Sequence, residues 1–121
     1  MSLNELLRDL VNGCGALGAL VMTSDGFPLD EFRRDSLFDP EGCSRQFSGI
    51  LRETLRLTPC PGNGGVKELS LLTEEFRFVI RIMADDVALL LVLPSDGEYG
   101  KARYLLARDL RKFSEGVNSE E

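Results

Sequence analysis

The sequence predicts an α+β domain with element order α-β-β-α-β-β-β-α. Its five strands form a mostly antiparallel sheet of order 2-1-5-4-3, with helices on both faces. Three observations carry this expectation. A capped amphipathic helix over Ser2–Cys14 leads, through glycines, into a strand that an Asp25-Gly26 turn folds back. The stretches Ala16–Met22 and Val87–Leu93 are continuously apolar, so each needs cover on both faces. Each is also tied by a short turn to a more polar neighbour, which places the two apolar strands side by side at the centre.

The first helix opens on Ser2 and Glu5, whose Ser-x-x-Glu spacing is that of a capping box. Leu3, Leu6, Leu7, Leu10, Val11 and Cys14 then follow one helical stripe, while Asn4, Glu5, Arg8, Asp9 and Asn12 lie off it. Gly13 is expected to cap this helix, and Gly18 to permit close packing over a central strand. Phe27–Phe32 makes the second strand, and Pro28, Asp30 and Glu31 restrict it to a sheet edge. After a polar connection, Asp39-Pro40 reads as an N-cap followed by proline in the first helical position. The second helix should run to about Thr58, with Cys43, Phe47, Ile50, Leu51, Thr54 and Leu55 on its apolar face.

The run from Pro59 to Gly65 cannot continue a helix and is the clearest loop. Three strands follow as a meander, Val66–Thr73, Phe76–Met83 and Val87–Leu93, with acidic turns at Glu74-Glu75 and Asp85-Asp86. In the middle one, Phe76, Phe78, Ile80 and Ile82 share one face, and Arg77 and Arg81 the other. A second capping box, Ser95 to Glu98, opens the last helix. Its apolar positions include Tyr99, Ala102, Leu106, Leu110 and Phe113, and Gly116 is expected to end it. Residues 1–117 thus form one domain, followed by a short polar tail over 118–121.

Several function classes are set aside at this level. Gly13-Cys14-Gly15-Ala16-Leu17-Gly18 spells G-x-G-x-x-G, but that fingerprint binds a pyrophosphate only with a strand before it and a helix after it. Here the order is reversed. The loop around Cys60 lacks the Lys-Ser/Thr ending of a phosphate-binding loop. The chain has no histidine, which removes Ser-His-Asp triads, Cys-His pairs and imidazole metal ligands. Three cysteines without C-x-x-C spacing suit neither a disulfide framework nor a zinc site. Cys14 and Cys43 read as small core residues, and Cys60 as an exposed loop thiol. A net charge of −6 argues against nonspecific binding to nucleic acid or anionic membranes. No signal peptide or membrane span is expected, and the cytoplasm is the expected location. No catalytic, cofactor or metal site is predicted.

The element order, the chain length and the run Gly18-Ala-Leu-Val-Met-Thr-Ser-Asp-Gly-Phe-Pro-Leu29 together resemble the Roadblock/dynein light chain family, most of all its prokaryotic MglB-like branch. The resemblance implies that the second helix covers one sheet face, and the first and third the other. It also implies a homodimer joined through the third strand and neighbouring second helices. The candidate dimer residues are Val66, Lys67, Leu69 and Leu71, on an edge that carries no proline and one lysine. The partner implied is a small Ras-like GTPase, docked on the side of the second helix.

There, Arg45, Gly49, Arg52 and Arg56 recur at helical spacing opposite the core stripe, a basic stripe in an acidic chain. Taken alone, such a stripe reads first as a solvated helix face; with the resemblance, a partner-binding surface becomes the better reading. MglB-like members can stimulate GTP hydrolysis, and the residues leave that open. The alternatives are a PAS-like small-ligand sensor, which shares the 2-1-5-4-3 order, and a general protein-interaction module.

Overall fold

The computed structural model describes residues 1–56, 65–83 and 87–120, with side chains through 118. Cys60 and the loop expected over 59–64, the expected end of the second helix near Thr58 and the turn expected at Asp85-Asp86 lie outside the described residues. The elements are α1 (Leu3–Cys14), β1 (Gly18–Thr23), β2 (Pro28–Arg33), α2 (Pro40–Arg56), β3 (Glu68–Leu72), β4 (Phe76–Ile82), β5 (Val87–Pro94) and α3 (Tyr99–Glu120). The sheet order is β2-β1-β5-β4-β3, and every neighbouring pair is antiparallel. β1 and β5 are adjacent and central, with Leu20 opposite Leu90 and Ala19 opposite Leu91.

Because strand side chains alternate between faces, the two central strands feed two separate cores. Ala19, Val21, Val79, Leu89, Leu91 and Leu93 pack with α1 and α3. Leu20, Met22, Ile80, Ala88, Leu90 and Val92 pack with Phe47 and Leu51 of α2. This explains why the central strands are apolar at every position. Two helices cover one face and one helix the other, as the resemblance implies.

Local chemistry sets the ends of the elements. Ser2 Oγ accepts from Glu5 N–H at 3.2 Å and donates to Glu5 Oε1 at 3.1 Å, so Ser2 caps α1. At its other end the cap is Gly15, not Gly13. Gly15 takes φ 70°, and its N–H donates to Val11 O. A left-handed residue is needed there, and glycine adopts that conformation without a Cβ penalty. Gly13 instead lies inside the helix, where an added Cβ would sit 3.1 Å from Leu105. Gly18 does serve close packing, since a Cβ there would run into the Phe38 ring and stand 2.8 Å from Phe32 O. The β1–β2 turn closes with Gly26 at φ 84° and its N–H donating to Thr23 O at 2.9 Å.

Three further expectations are corrected. Ser95 does not cap α3; it lies in a turn in which Gly97 N–H donates to Pro94 O at 2.9 Å. Helical bonding begins with Ala102 N–H donating to Glu98 O, so Glu98 is the flanking residue. Gly116 does not end α3, which continues to Glu120. It is buried against Leu3 of α1, where a Cβ would approach Leu3 Cδ1 to 3.3 Å, so its small size serves helix packing. Ile50 is 37% exposed and faces away from the core; the buried positions of α2 are Ser44, Phe47, Leu51 and Thr54. The two buried hydroxyls are satisfied within the helix: Ser44 Oγ donates to Glu41 O at 2.9 Å, and Thr54 Oγ1 to Ile50 O at 2.7 Å.

Candidate interaction surface

The hydrogen-bond parity of β3 defines an open edge. Ile82 N–H donates to Lys67 O at 2.9 Å, and Thr73 N–H donates to Phe76 O at 2.8 Å. Leu69 and Leu71 share this parity, lying opposite Ile80 and Phe78, so the backbone groups of residues 67, 69, 71 and 73 point toward β4. Those of Glu68, Ser70 and Leu72 point the other way, to an edge no described strand covers. The strand is shorter than the expected Val66–Thr73, so Val66 and Lys67 precede it while Leu69 and Leu71 lie within it. Lys67 is exposed, Val66 and Leu69 are half-buried, and Leu71 and Leu72 are 41% and 55% exposed.

On the α2 side, this edge continues into an incompletely covered apolar surface. Phe47 of α2 meets Phe78 at 4.8 Å between ring centroids, and Phe76 lies 6.0 Å from Phe78. Beyond that contact, Cys43, Leu55, Leu69, Phe76, Phe78 and Ile82 pack on the core yet remain only partly buried. A groove of about 360 Å³ opens here, lined among others by Leu37, Phe38, Cys43, Phe76 and Phe78. Burial pushes the Cys43 thiol up to about 11, and the Asp39 carboxylate adds to the rise. It is therefore a protonated, unreactive lining group at neutral pH. Burial likewise raises the Cys14 thiol.

Arg45, Gly49, Arg52 and Arg56 are all exposed on α2. Their charges differ in availability. Arg45 pairs with Glu41 at 3.3 Å and Arg56 with Glu53 at 3.2 Å, whereas Arg52 has no ion pair among the described residues. A Cβ on Gly49 would meet nothing within 4 Å, so nothing inside the protomer requires glycine there. With Ile50, Glu53 and Thr54 it lines a shallow depression open to an incoming chain. Reasoning from sequence missed three exposed apolar residues on this side: Leu37 at 67%, Phe27 at 64% and Ile50. Phe27 directly follows the Asp25-Gly26 turn, a position that projects from a hairpin, and this was the available signal. The turn packs against α2, because a Cβ on Gly26 would stand 3.0 Å from Ser48 Cβ.

After Gly13–Gly18 comes β1, so no helix N-terminus faces a phosphate there. Among the described residues, no group of three or more Cys, Asp or Glu converges as a metal site, and no helix is long and apolar enough to cross a membrane.

No family model and no curated protein matches the chain. Solved structures do. MglC from Myxococcus xanthus is 31% identical, with all of both chains covered and a TM-score of 0.68. The gliding protein MglB from Thermus thermophilus is 18% identical over 97% of this chain and 89% of its own, with a TM-score of 0.83. A Roadblock/LC7 domain from Streptomyces avermitilis is 14% identical over 93% and 94%, with a TM-score of 0.77. The last two speak for the fold alone, whereas MglC adds sequence identity over the full length of both chains. With the β2-β1-β5-β4-β3 sheet between α2 and the α1–α3 pair, this places the chain in the Roadblock family, among the relatives of MglB and MglC.

Proposed function

We propose that the chain acts as a non-enzymatic homodimer that regulates or scaffolds a small Ras-like GTPase. The observation that carries this is the open β3 edge running into the half-covered apolar surface beside α2. An unpaired strand edge flanked by exposed leucines is a template for a second strand. Two β3 strands paired antiparallel about Ser70 would use the outward groups of Glu68, Ser70 and Leu72. Glu68 then stands opposite the partner's Leu72, and Leu69 opposite the partner's Leu71. That register joins two five-stranded sheets into one and brings the apolar flanks of the two α2 helices together.

The α2 surface with Arg45, Gly49, Arg52 and Arg56 is then the docking side for the GTPase. Arginine is enriched at interfaces generally. A regulator of this kind repositions switch loops by contact and need not insert a catalytic arginine.

Sedimentation of the purified chain, followed by titration with small Ras-like GTPases of the host in GDP and GTP-analogue forms, tests both halves. A dimer that binds one nucleotide form preferentially is expected, and single-turnover hydrolysis in the same mixture reads any stimulation. A monomer at high micromolar concentration overturns the dimer. A dimer that binds no GTPase in either nucleotide state overturns the GTPase half.

A further inference from the structure

On the opposite sheet face, β4 and β3 carry a cluster that the α2 surface does not use. Arg81 of β4 lies opposite Glu68 of β3, and its Nη1 is 3.5 Å from Glu68 Oε1. Arg103 of α3 donates through Nε to Glu68 Oε2 at 2.7 Å. A third guanidinium, Arg77, stacks 4.2 Å over the Tyr99 ring and donates through Nη1 to Ser70 Oγ at 3.2 Å. Arg103 also lies 5.6 Å from the Tyr99 centroid. Two guanidiniums thus share the Glu68 carboxylate, and a third, Arg77, stands beside them with no carboxylate partner among the described residues, in a chain whose net charge is −6.

Their hydrogen bonds are far from saturated. Arg81 Nε has no hydrogen-bond partner among the described residues but is buried, so the donors open to a ligand are those on the exposed parts of the three side chains. Each guanidinium has five N–H donors, and the contacts above use few of them. The side chains are also held in place by stacking and by Glu68, so binding an acceptor costs less side-chain entropy than at free arginines.

We infer that Arg77, Arg81 and Arg103 form a docking site for an acidic polypeptide segment, laid over the β3–β4 face beside the start of α3. Charge complementarity selects the occupant: guanidinium forks match carboxylates in two-point geometry. Glu68 selects a chain over a compact anion. Both its oxygens already occupy the point between Arg81 and Arg103, so the remaining donors are spread along β4 and across to α3. Carboxylates spaced along a peptide meet such donors; a single phosphate needs them to converge. The site lies within one protomer, so it stands whether or not the β3 edge dimerises or α2 binds a GTPase.

The test is a titration of the full chain into a fluorescein-labelled hexaglutamate peptide at low ionic strength, read by fluorescence anisotropy. Saturable binding that weakens with added salt is expected for the native sequence. The double variant Arg77→Gln/Arg103→Gln should bind about tenfold more weakly, the scale of one lost charge-assisted hydrogen bond. Arg111→Gln, on an arginine whose side chain is 92% exposed on α3, should change nothing. Glu68→Gln should tighten binding, because it removes the competing carboxylate; an ion-pair cluster that only holds the fold together would not give that result.

If the double variant does not fold, Arg103→Gln alone, on a half-exposed helical residue, should still weaken binding several-fold. Absence of saturable binding, an equal loss in Arg111→Gln, or weaker binding by Glu68→Gln overturns the assignment. Displacement by inorganic phosphate at the peptide's own concentration also overturns it, in favour of a compact oxyanion site.

Discussion

Gly18 shows how one missing side chain can fix a layer of the fold. Its position on a central strand lets the Phe38 ring pack close against β1, and Phe38 is only 1% exposed. In Gly18→Ala the new methyl would meet both the ring and the Phe32 carbonyl, so the ring must move. A loss of about 1–3 kcal/mol is expected, the usual cost of overpacking a core, and urea unfolding checks it. Gly15 and Gly116 teach the converse lesson. That glycines punctuate this chain was legible in the sequence, but which one turns the backbone and which one admits a neighbour depends on partners distant in sequence.

Cys43 gives a second test at this scale. Its folded thiol sits near 11, above the ordinary value of 9.0, through burial first and Asp39 second. The folded state therefore holds the proton more tightly than the unfolded one. The resulting stability is complete below about pH 9 and is lost as pH rises toward 11. Removing the thiol with Cys43→Ala should flatten the fall in unfolding midpoint across that window. Native Cys43 should also react slowly with a disulfide reagent at neutral pH and quickly once the chain is unfolded.

At the scale of elements, strand and helix identity followed from periodicity, while their ends did not. The alternation of Phe76, Phe78, Ile80 and Ile82 against Arg77 and Arg81 assigns β4 its two faces, and the structure keeps that division. The apparent capping box at Ser95 fails because Pro94 and Gly97 close a turn first, and only then does the helix begin. Helix α3 passes Gly116 because Val117 is buried on the same core as Leu3 and Phe113, and that packing outweighs glycine's poor helix propensity.

The parity of β3 likewise could not be read from sequence, and it changes how the dimer should be probed. Leu69 directs its N–H toward β4, so Leu69→Pro breaks the sheet within a protomer and should unfold it or leave it insoluble. Ser70 directs its N–H outward, where a lone edge strand tolerates proline. Ser70→Pro should therefore leave circular dichroism and thermal unfolding close to native while sedimentation moves from dimer to monomer. Retention of the dimer by a folded Ser70→Pro protein would place the interface away from β3.

For the whole molecule, two central apolar strands forced helices onto both faces, and this one constraint made the architecture legible in the sequence. The candidate surface was legible only in part. Spacing alone identified Arg45, Arg52 and Arg56 as one exposed stripe, but not which of them is electrostatically available, because that depends on side-chain pairing. Glu41 and Glu53 hold Arg45 and Arg56, and Arg52 stands between them without an ion pair among the described residues.

If the α2 side receives a GTPase, the arginines should therefore differ in effect. Among the described residues Arg52 has no ion pair to break before it meets an acceptor, whereas Arg45 and Arg56 exchange one carboxylate for another. Arg52→Glu should weaken the complex most, by about 2 kcal/mol or roughly thirtyfold if it sits at the centre of the contact. Arg45→Glu and Arg56→Glu should each weaken it less. All three are solvent-facing, so unfolding free energies should stay within about 0.5 kcal/mol of native and losses in binding are not losses of fold. Titration of the three reversals against the GTPase in its preferred nucleotide state decides the matter. Equal effects would mean that pairing with Glu41 and Glu53 is irrelevant to binding, and unchanged affinity in all three would move the docking surface off α2.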